Sequence, residues 1–183
     1  RFTAIVMSFA PYGIFALMAW LTGQYGLQLL LDMMKVIGVV YAAFLIQIFI
    51  VMTLAIKCIA KLSPAQFFNG IVEAATVSFT TASSSATLPV SMKCANEKLG
   101  ISREISSFSL SLGATLNMDG AAIYLGVCTV FLAQAYGVAL GTADYVAIVV
   151  MSMLASIGSA GVPGSALVMM SLVLATAGLP IEG

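Results

Sequence analysis

Near its middle the chain reads Gly113-Ala-Thr-Leu-Asn-Met-Asp-Gly-Ala-Ala122. This stretch holds one carboxylate, Asp119, and one amide, Asn117, inside a run from Ile105 to Thr142 that carries no other charge. An ionisable group in so apolar a segment is costly to place in a bilayer. A cation, a partner charge or a wet cavity must offset that cost. No Lys or Arg is near in sequence, so we predict bound Na⁺. The alternative is a carboxylate that faces a pore or pairs with a helix outside this chain.

Composition places the chain in a membrane. Its 183 residues are 61% hydrophobic and 8% charged, with a mean hydropathy of +1.10, whereas soluble domains carry about 25% charged residues. The net charge is zero and no basic cluster indicates a nucleic-acid partner. The chain has no His, and its three Cys form no CxxC pair, so a zinc site or a disulfide framework is not indicated. We expect a protein that is not an enzyme.

The apolar runs predict an all-α integral membrane fold, since a spanning helix needs about 20 apolar residues. Three runs are predicted as spanning helices, of which the last is interrupted at 117–120; they are residues 3–24, 36–60 and 105–137. Two further runs, 64–98 and 144–180, carry clusters of helix-breaking residues near 82–86 and 161–164. The chain starts inside an apolar run and ends on a turn signal, so we interpret it as a fragment of a longer protein.

The basic residues indicate how the broken runs are threaded. If 64–98 enters the membrane and returns to the same side, six of the seven basic residues share one side and only Lys35 lies opposite, as the positive-inside tendency prefers. The two runs then form re-entrant helical hairpins of opposite orientation, an inverted repeat. Interrupted segments in corresponding positions indicate the binding site of a secondary transporter. The alternative is two pairs of short interfacial helices.

Broken helices would supply two kinds of contact. Carbonyls freed near 113–115 and 156–159 would suit a hard cation such as Na⁺, and half-helix N-termini would attract an anionic substrate group. The hydroxyls of Ser83–Ser85 would offer further contacts, although small hydroxyl residues also occur wherever membrane helices pack.

Three motifs carry a family resemblance: Ser83-Ser-Ser-Ala-Thr-Leu-Pro89, Asn117-Met-Asp-Gly120 and Ala155-Ser-Ile-Gly-Ser-Ala-Gly-Val-Pro-Gly164. Together they closely resemble the sodium:dicarboxylate (glutamate, aspartate and neutral amino acid) symporter family, over the whole chain. The resemblance implies an elevator-type homotrimer in the plasma membrane, for which we expect a bacterial inner membrane. Residues 1–35 would belong to the scaffold and 36–183 to the transport domain. The family's eighth helix would follow Gly183.

The resemblance also implies site residues. Sodium would be bound by Gly113, Thr115, Asn117, Asp119, Ser156, Ile157 and Ser159. Substrate would contact Ala82, Ser83, Ser84, Met118, Ala121, Val162, Pro163, Gly164 and Ala166, with the 162–166 tip acting as the gate. Ala121 stands where the family usually has Thr, and Ala82 where some members have Arg. Acidic selectivity would therefore need an Arg from the eighth helix.

The expected function is sodium-coupled symport of an amino acid or dicarboxylate, most like glutamate or aspartate. A neutral amino acid symporter and an anion-conducting channel are the alternatives. The serine run also suggests an intramembrane serine protease, but the chain has no His to activate a serine.

Overall fold

A computed structural model describes residues 2–162 and 164–179, without the side chains of 2–7, 10, 25, 27 and 29. The described residues form helices and no strands, which confirms the predicted all-α class. The helices are α1 (Phe2–Tyr25), α2 (Leu27–Ile46), α3 (Pro64–Thr81), α4 (Ser84–Glu97), α5 (Arg103–Leu116), α6 (Asp119–Ala135), α7 (Thr142–Ile157) and α8 (Ser165–Thr176). Two π-helical segments, Gln47–Met52 and Ala55–Ile59, follow α2.

The chain forms two compact units, Arg1–Val39 and Val40–Gly183, whose backbone contacts lie mainly within each unit. In the first unit α1 exposes large apolar side chains, including Phe9 at 68% and Phe15 at 75%. Large exposed apolar patches mark surfaces that contact lipid or protein. Within the described residues, the stretches Leu30–Ile59 and Arg103–Ala135 are long and apolar enough to cross a bilayer, by length and composition alone.

The second helix begins earlier than the sequence predicts. We expected it at residue 36, after the charges, but α2 begins at Leu27 and contains both Asp32 and Lys35. Lys35 Nζ lies 2.8 Å from Asp32 Oδ1, and oppositely charged residues three positions apart are neighbours on a helix surface. The two charges therefore lie on the surface of a continuous helix and do not interrupt it.

The helices α3 and α4 form an antiparallel pair joined by two residues, Ala82 and Ser83. Away from this link, Glu73 of α3 pairs with Lys93 at 3.2 Å and Lys98 at 3.0 Å, both from α4. Ala82 ends α3 in the left-handed region with φ 48°, a conformation that non-glycine residues rarely adopt. The link is thus a sharp reversal of the chain.

The break between these helices is shorter than predicted. We expected it to extend over 82–86, but α4 begins at Ser84. The Ser83 side chain accepts a hydrogen bond from the Ala86 backbone N–H at 3.2 Å. This N-cap starts the helix earlier, because it satisfies a donor that the first turn leaves free. Pro89 lies inside α4 and does not end it.

The helices α6, α7 and α8 pack around the main apolar core. Leu125, Ile148, Ala155 and Val173 form its centre, and each is at most 2% exposed. The chain reverses between α7 and α8, and the two helices pack against each other. At the end of α7, a Cβ placed on Gly158 would lie 3.8 Å from the sulfur of Met169 in α8. This core fixes the second helical pair against α6, which carries Asp119 at its start.

Candidate functional site

The helix that contains the central motif is interrupted. α5 ends at Leu116, α6 begins at Asp119, and Asn117 and Met118 between them have non-helical backbone angles. The interruption falls within the stretch where the sequence predicts it. The last carbonyls of a helix and the first N–H groups of the next lack helical partners. The break therefore brings a negative helix end and a positive helix end to one place.

Asp119 is stabilised by two neutral groups. It is the first residue of α6, where the positive end of the helix dipole favours a carboxylate. The Gln47 side-chain amide donates a hydrogen bond from Nε2 to Asp119 Oδ2 at 2.9 Å. Gln47 was not predicted from the sequence, because it lies 72 residues away along the chain. Neither group supplies a full positive charge.

The first link, which joins α3 to α4, contacts the second link, which joins α7 to α8. Ser83 Oγ donates to the Gly161 carbonyl at 2.7 Å, and the Ser85 backbone N–H donates to the same oxygen at 3.1 Å. Gly161 is buried. A Cβ there would lie 3.1 Å from Ser85 N and 3.2 Å from the Ala114 carbonyl oxygen. Glycine is therefore required for this close approach of three backbone segments.

Hydrogen bonds within the second link shape it. Ser159, only 3% exposed, has its Oγ 2.8 Å from Ser165 Oγ. Ser165 Oγ donates to the Ala160 carbonyl at 2.5 Å. Gly164 precedes α8 with φ +80°, which favours glycine because a Cβ would be strained. The hydroxyl groups of Ser159 and Ser165 therefore connect the two ends of this link.

A cavity of about 540 Å³ lies at the break and the two links. The N-termini of α4, α6 and α8 reach it. Its wall consists of Met52, Ala82, Ser84, Asn117, Met118, Asp119, Gly120, Ala121, Tyr124, Ser159, Ala160, Gly161, Val162, Gly164, Ser165 and Ala166. Among these, Asp119 is the one carboxylate and no residue is Lys or Arg.

Most of the predicted site residues lie on this wall. The predicted substrate residues there are Ala82, Ser84, Met118, Ala121, Val162, Gly164 and Ala166. The predicted sodium ligands there are Asn117, Asp119 and Ser159. Their roles remain predictions, but the fold brings them together from three separate segments.

The remaining predicted residues lie elsewhere. Gly113, Thr115, Ser156 and Ile157 are outside the cavity wall. Ser83 is also outside it, with its hydroxyl bonded to the second link. Pro163 falls outside the described residues.

Two carbonyls that we expected to be free already accept backbone hydrogen bonds. The Gly113 carbonyl accepts from Asn117 N at 3.0 Å, and the Ser156 carbonyl from Ser159 N at 3.2 Å. The helices extend further than the motifs suggested, to Leu116 and Ile157. Each oxygen keeps a second lone pair, so these bonds reduce the predicted ligand capacity without removing it.

Five wall residues were not predicted to lie in the site: Met52, Gly120, Tyr124, Ala160 and Gly161. Ser165 lies inside the 162–166 tip that was predicted as the gate. Gly120, Ala160 and Gly161 lie inside the motifs quoted above, and this position was a usable signal. Met52 and Tyr124 carry no local signal, because only helix register turns them towards the cavity.

The donor set fits a monovalent hard cation. Such ions prefer oxygen ligands, and one carboxylate with neutral amide and carbonyl oxygens gives a site of low total charge. Unwound backbone and helix C-terminal ends are the groups that coordinate Na⁺ in transporters with broken helices. In the part of the chain that the structure describes, no three His, Cys, Asp or Glu side chains cluster as a metal site.

The sequence profile of the Sodium:dicarboxylate symporter family matches residues 1–183. The chain belongs to this family. Its members are membrane-embedded transporters, which confirms the prediction of a membrane transport protein. The resemblance carried by the three motifs is confirmed with it.

Three curated relatives illustrate the family. Excitatory amino acid transporter 1 of Rattus norvegicus is 36% identical over 190 residues, which cover 100% of this chain and 34% of that protein. The proton/sodium-glutamate symport protein of Bacillus subtilis is 35% identical over 98% of this chain and 41% of its own length. Excitatory amino acid transporter 2 of Homo sapiens is 43% identical over 68% of this chain and 22% of its own. The chain spans less than half the length of each.

Proposed function

We propose that the protein is a sodium-coupled secondary symporter that imports an amino acid or dicarboxylate. The observation that carries the proposal is the carboxylate of Asp119, placed at a helix break on the wall of a cavity between two hairpin links. The names of the rat and Bacillus subtilis relatives, which refer to excitatory amino acids and to sodium and glutamate, support the same reading.

The break suits a cation on one side and an anion on the other. Asp119 and the C-terminal carbonyls of α5 would hold Na⁺, since both carry negative charge or partial charge. The N-termini of α4 and α8 border the same cavity through Ser84 and Ser165, and free N–H groups at helix starts bind carboxylates. A substrate carboxylate would lie between these two N-termini. Bound cation and bound substrate would then stabilise each other across the cavity.

The two helical pairs would act as re-entrant hairpins of opposite orientation, with α3–α4 entering from the cytoplasmic side. Non-helical backbone at membrane depth is tolerated only where protein or a water-filled cavity surrounds it, and both links meet this condition because they line the cavity. We further propose that the cavity moves across the bilayer as part of a transport domain in a homotrimer, by an elevator motion. The 162–166 tip would be the gate.

A vesicle experiment tests the function. We expect the full-length protein, reconstituted into liposomes, to accumulate labelled glutamate or aspartate above its external concentration when an inward sodium gradient is imposed. Replacing sodium with choline should abolish accumulation. Protein-free liposomes provide the control. Vesicles in which substrate only equilibrates, whatever the sodium gradient, would contradict symport and favour a channel.

The hydroxyl of Ser83 provides a second test. Ser83→Ala removes the α4 cap and the bond to Gly161; loss of a cap costs about 1 kcal/mol. Ser102→Ala is the matched control, because Ser102 caps α5 by accepting from Ile105 N at 3.4 Å without touching either link. We expect both variants to lower the unfolding temperature, but only Ser83→Ala to slow sodium-driven uptake, by about tenfold. Equal uptake in the two variants would contradict a role in transport for the contact between Ser83 and Gly161.

A neutral amino acid is the second candidate substrate. The described cavity wall holds no cationic side chain, and an acidic substrate has one more carboxylate than its own amino group balances. Uptake competition with unlabelled alanine or serine against aspartate in the same vesicles would decide between them. Strong competition by aspartate alone would favour the acidic substrate.

A further inference from the structure

Gln47 lies far from the sequence motifs and contacts the central carboxylate. Its Nε2 donates to Asp119 Oδ2 at 2.9 Å, and the residue is half-buried. We infer that Gln47 is a positioning residue that aims the Asp119 carboxylate at a sodium ion in the cavity. The inference rests on the proposed function, which assigns sodium to Asp119.

The backbone around Gln47 supports this role. Gln47–Met52 is a π-helical segment, in which residues five apart lie one turn from each other. Gln47 and Met52 therefore share one face: Gln47 bonds to Asp119 and Met52 lines the cavity. In an α-helix, residues five apart would point to different sides. π-helical turns are rare and occur often at functional sites.

A second contact, made by Phe44, holds the end of α2 close to the start of α6. Phe44, one turn before Gln47, faces the start of α6: its Cε1 would lie 3.8 Å from a Cβ at Gly120. The α6 start is thus held by ring packing on one side of Asp119 and by the amide on the carboxylate itself. These contacts restrict the orientation of the Asp119 side chain, which would otherwise rotate on the cavity wall.

A neutral amide is better suited than a cationic side chain to orient a carboxylate that binds sodium. Gln47 donates one neutral hydrogen bond and leaves the charge of Asp119 intact, so Oδ1 is available to an ion. A Lys or Arg in the same place would compete with sodium for the carboxylate. Partners that orient a metal ligand typically change metal affinity by about 10- to 100-fold when they are removed.

The test measures sodium activation of uptake by the full-length protein in liposomes at saturating substrate. Gln47→Met keeps the length of the side chain and removes the donor. We expect the sodium concentration for half-maximal uptake to rise about 10- to 100-fold, while the maximal rate at saturating sodium falls less. Gln134→Met, an exposed site near the end of α6, is the control and should behave like the wild type.

A second pair of measurements keeps the inference falsifiable if Gln47→Met folds poorly. Gln47→Asn shortens the amide and should shift sodium activation in the same direction. In the Asp119→Asn background, Gln47→Met should add no further loss of the thermal stabilisation that sodium confers on the purified protein, because both changes act through one carboxylate. A lower maximal rate with unchanged half-saturating sodium would mean a merely structural role and would overturn the inference. Wild-type uptake that needs no sodium would instead overturn the proposed function.

Discussion

Replacing Asp119 by Asn is expected to raise the sodium concentration for half-maximal uptake by at least about 100-fold, which corresponds to about 2.8 kcal/mol. Two unit charges at about 4 Å attract by about 4 kcal/mol at an effective dielectric of about 20, and the variant loses this attraction. When the Asn oxygen accepts the Gln47 hydrogen bond, its amide N–H₂ group takes the place of the oxygen that would contact the cation. Sodium-dependent uptake by the full-length protein in liposomes measures the effect.

The matched control is Asp144→Asn. Asp144 Oδ2 accepts from the Gly141 backbone N–H at 2.8 Å at the start of α7, and it lies outside the cavity wall. Asn keeps an oxygen in that place, so we expect ordinary sodium activation. If Asp119→Asn and Asp144→Asn both activated like the wild type, Asp119 would have no role in sodium binding.

The second large effect is expected for Gly161→Ala. The added Cβ would lie 2.5 Å from Ser85 Oγ, 3.1 Å from Ser85 N and 3.2 Å from the Ala114 carbonyl oxygen. The Ser85 hydroxyl can rotate away, but the two backbone atoms belong to α4 and α5, and they can make room only if Gly161 separates from these helices. We expect at least a tenfold loss of sodium-driven uptake, about 1.4 kcal/mol.

Gly158→Ala is the control for this prediction. A Cβ at Gly158 would have the Ala155 carbonyl oxygen at 3.6 Å and the Met169 side chain at 3.8 Å as its nearest neighbours, which are ordinary contacts. This variant adds the same methyl to the same link and should transport at nearly the wild-type rate. Wild-type uptake in Gly161→Ala would show that the links do not need to approach so closely.

Composition and motif order were sufficient to predict the broad features of this chain. The 61% hydrophobic composition predicted a membrane helical fold, and the position of Asn117 beside Asp119 predicted where one helix is interrupted. Pro and Gly near residues 161–164 predicted the second chain reversal. These signals are local, because helix-breaking residues act on their own backbone.

Some of the features that the sequence did not predict are local. The Asp32–Lys35 pair lies on the surface of α2, which begins before these charges, and the early start of α4 coincides with the Ser83 cap, which accepts from a donor three residues along the chain. Other features depend on tertiary contacts. Gln47 could not be assigned from sequence, because its role depends on a π-helical turn and a partner 72 residues away. Gly161 was quoted in a motif, yet only the structure shows the three backbone segments that require it.

Sodium coupling by the proposed mechanism requires that the Asp119 carboxylate bind the coupling cation. The most direct measurement is anomalous diffraction from crystals of the full-length protein in which thallous ion, a heavy monovalent substitute, replaces sodium. We predict an anomalous peak in contact with Asp119 Oδ1, beside the helix break at Asn117, that disappears when sodium is added in excess. Thallous peaks found only away from Asp119, or a peak there that excess sodium leaves unchanged, would contradict the claim.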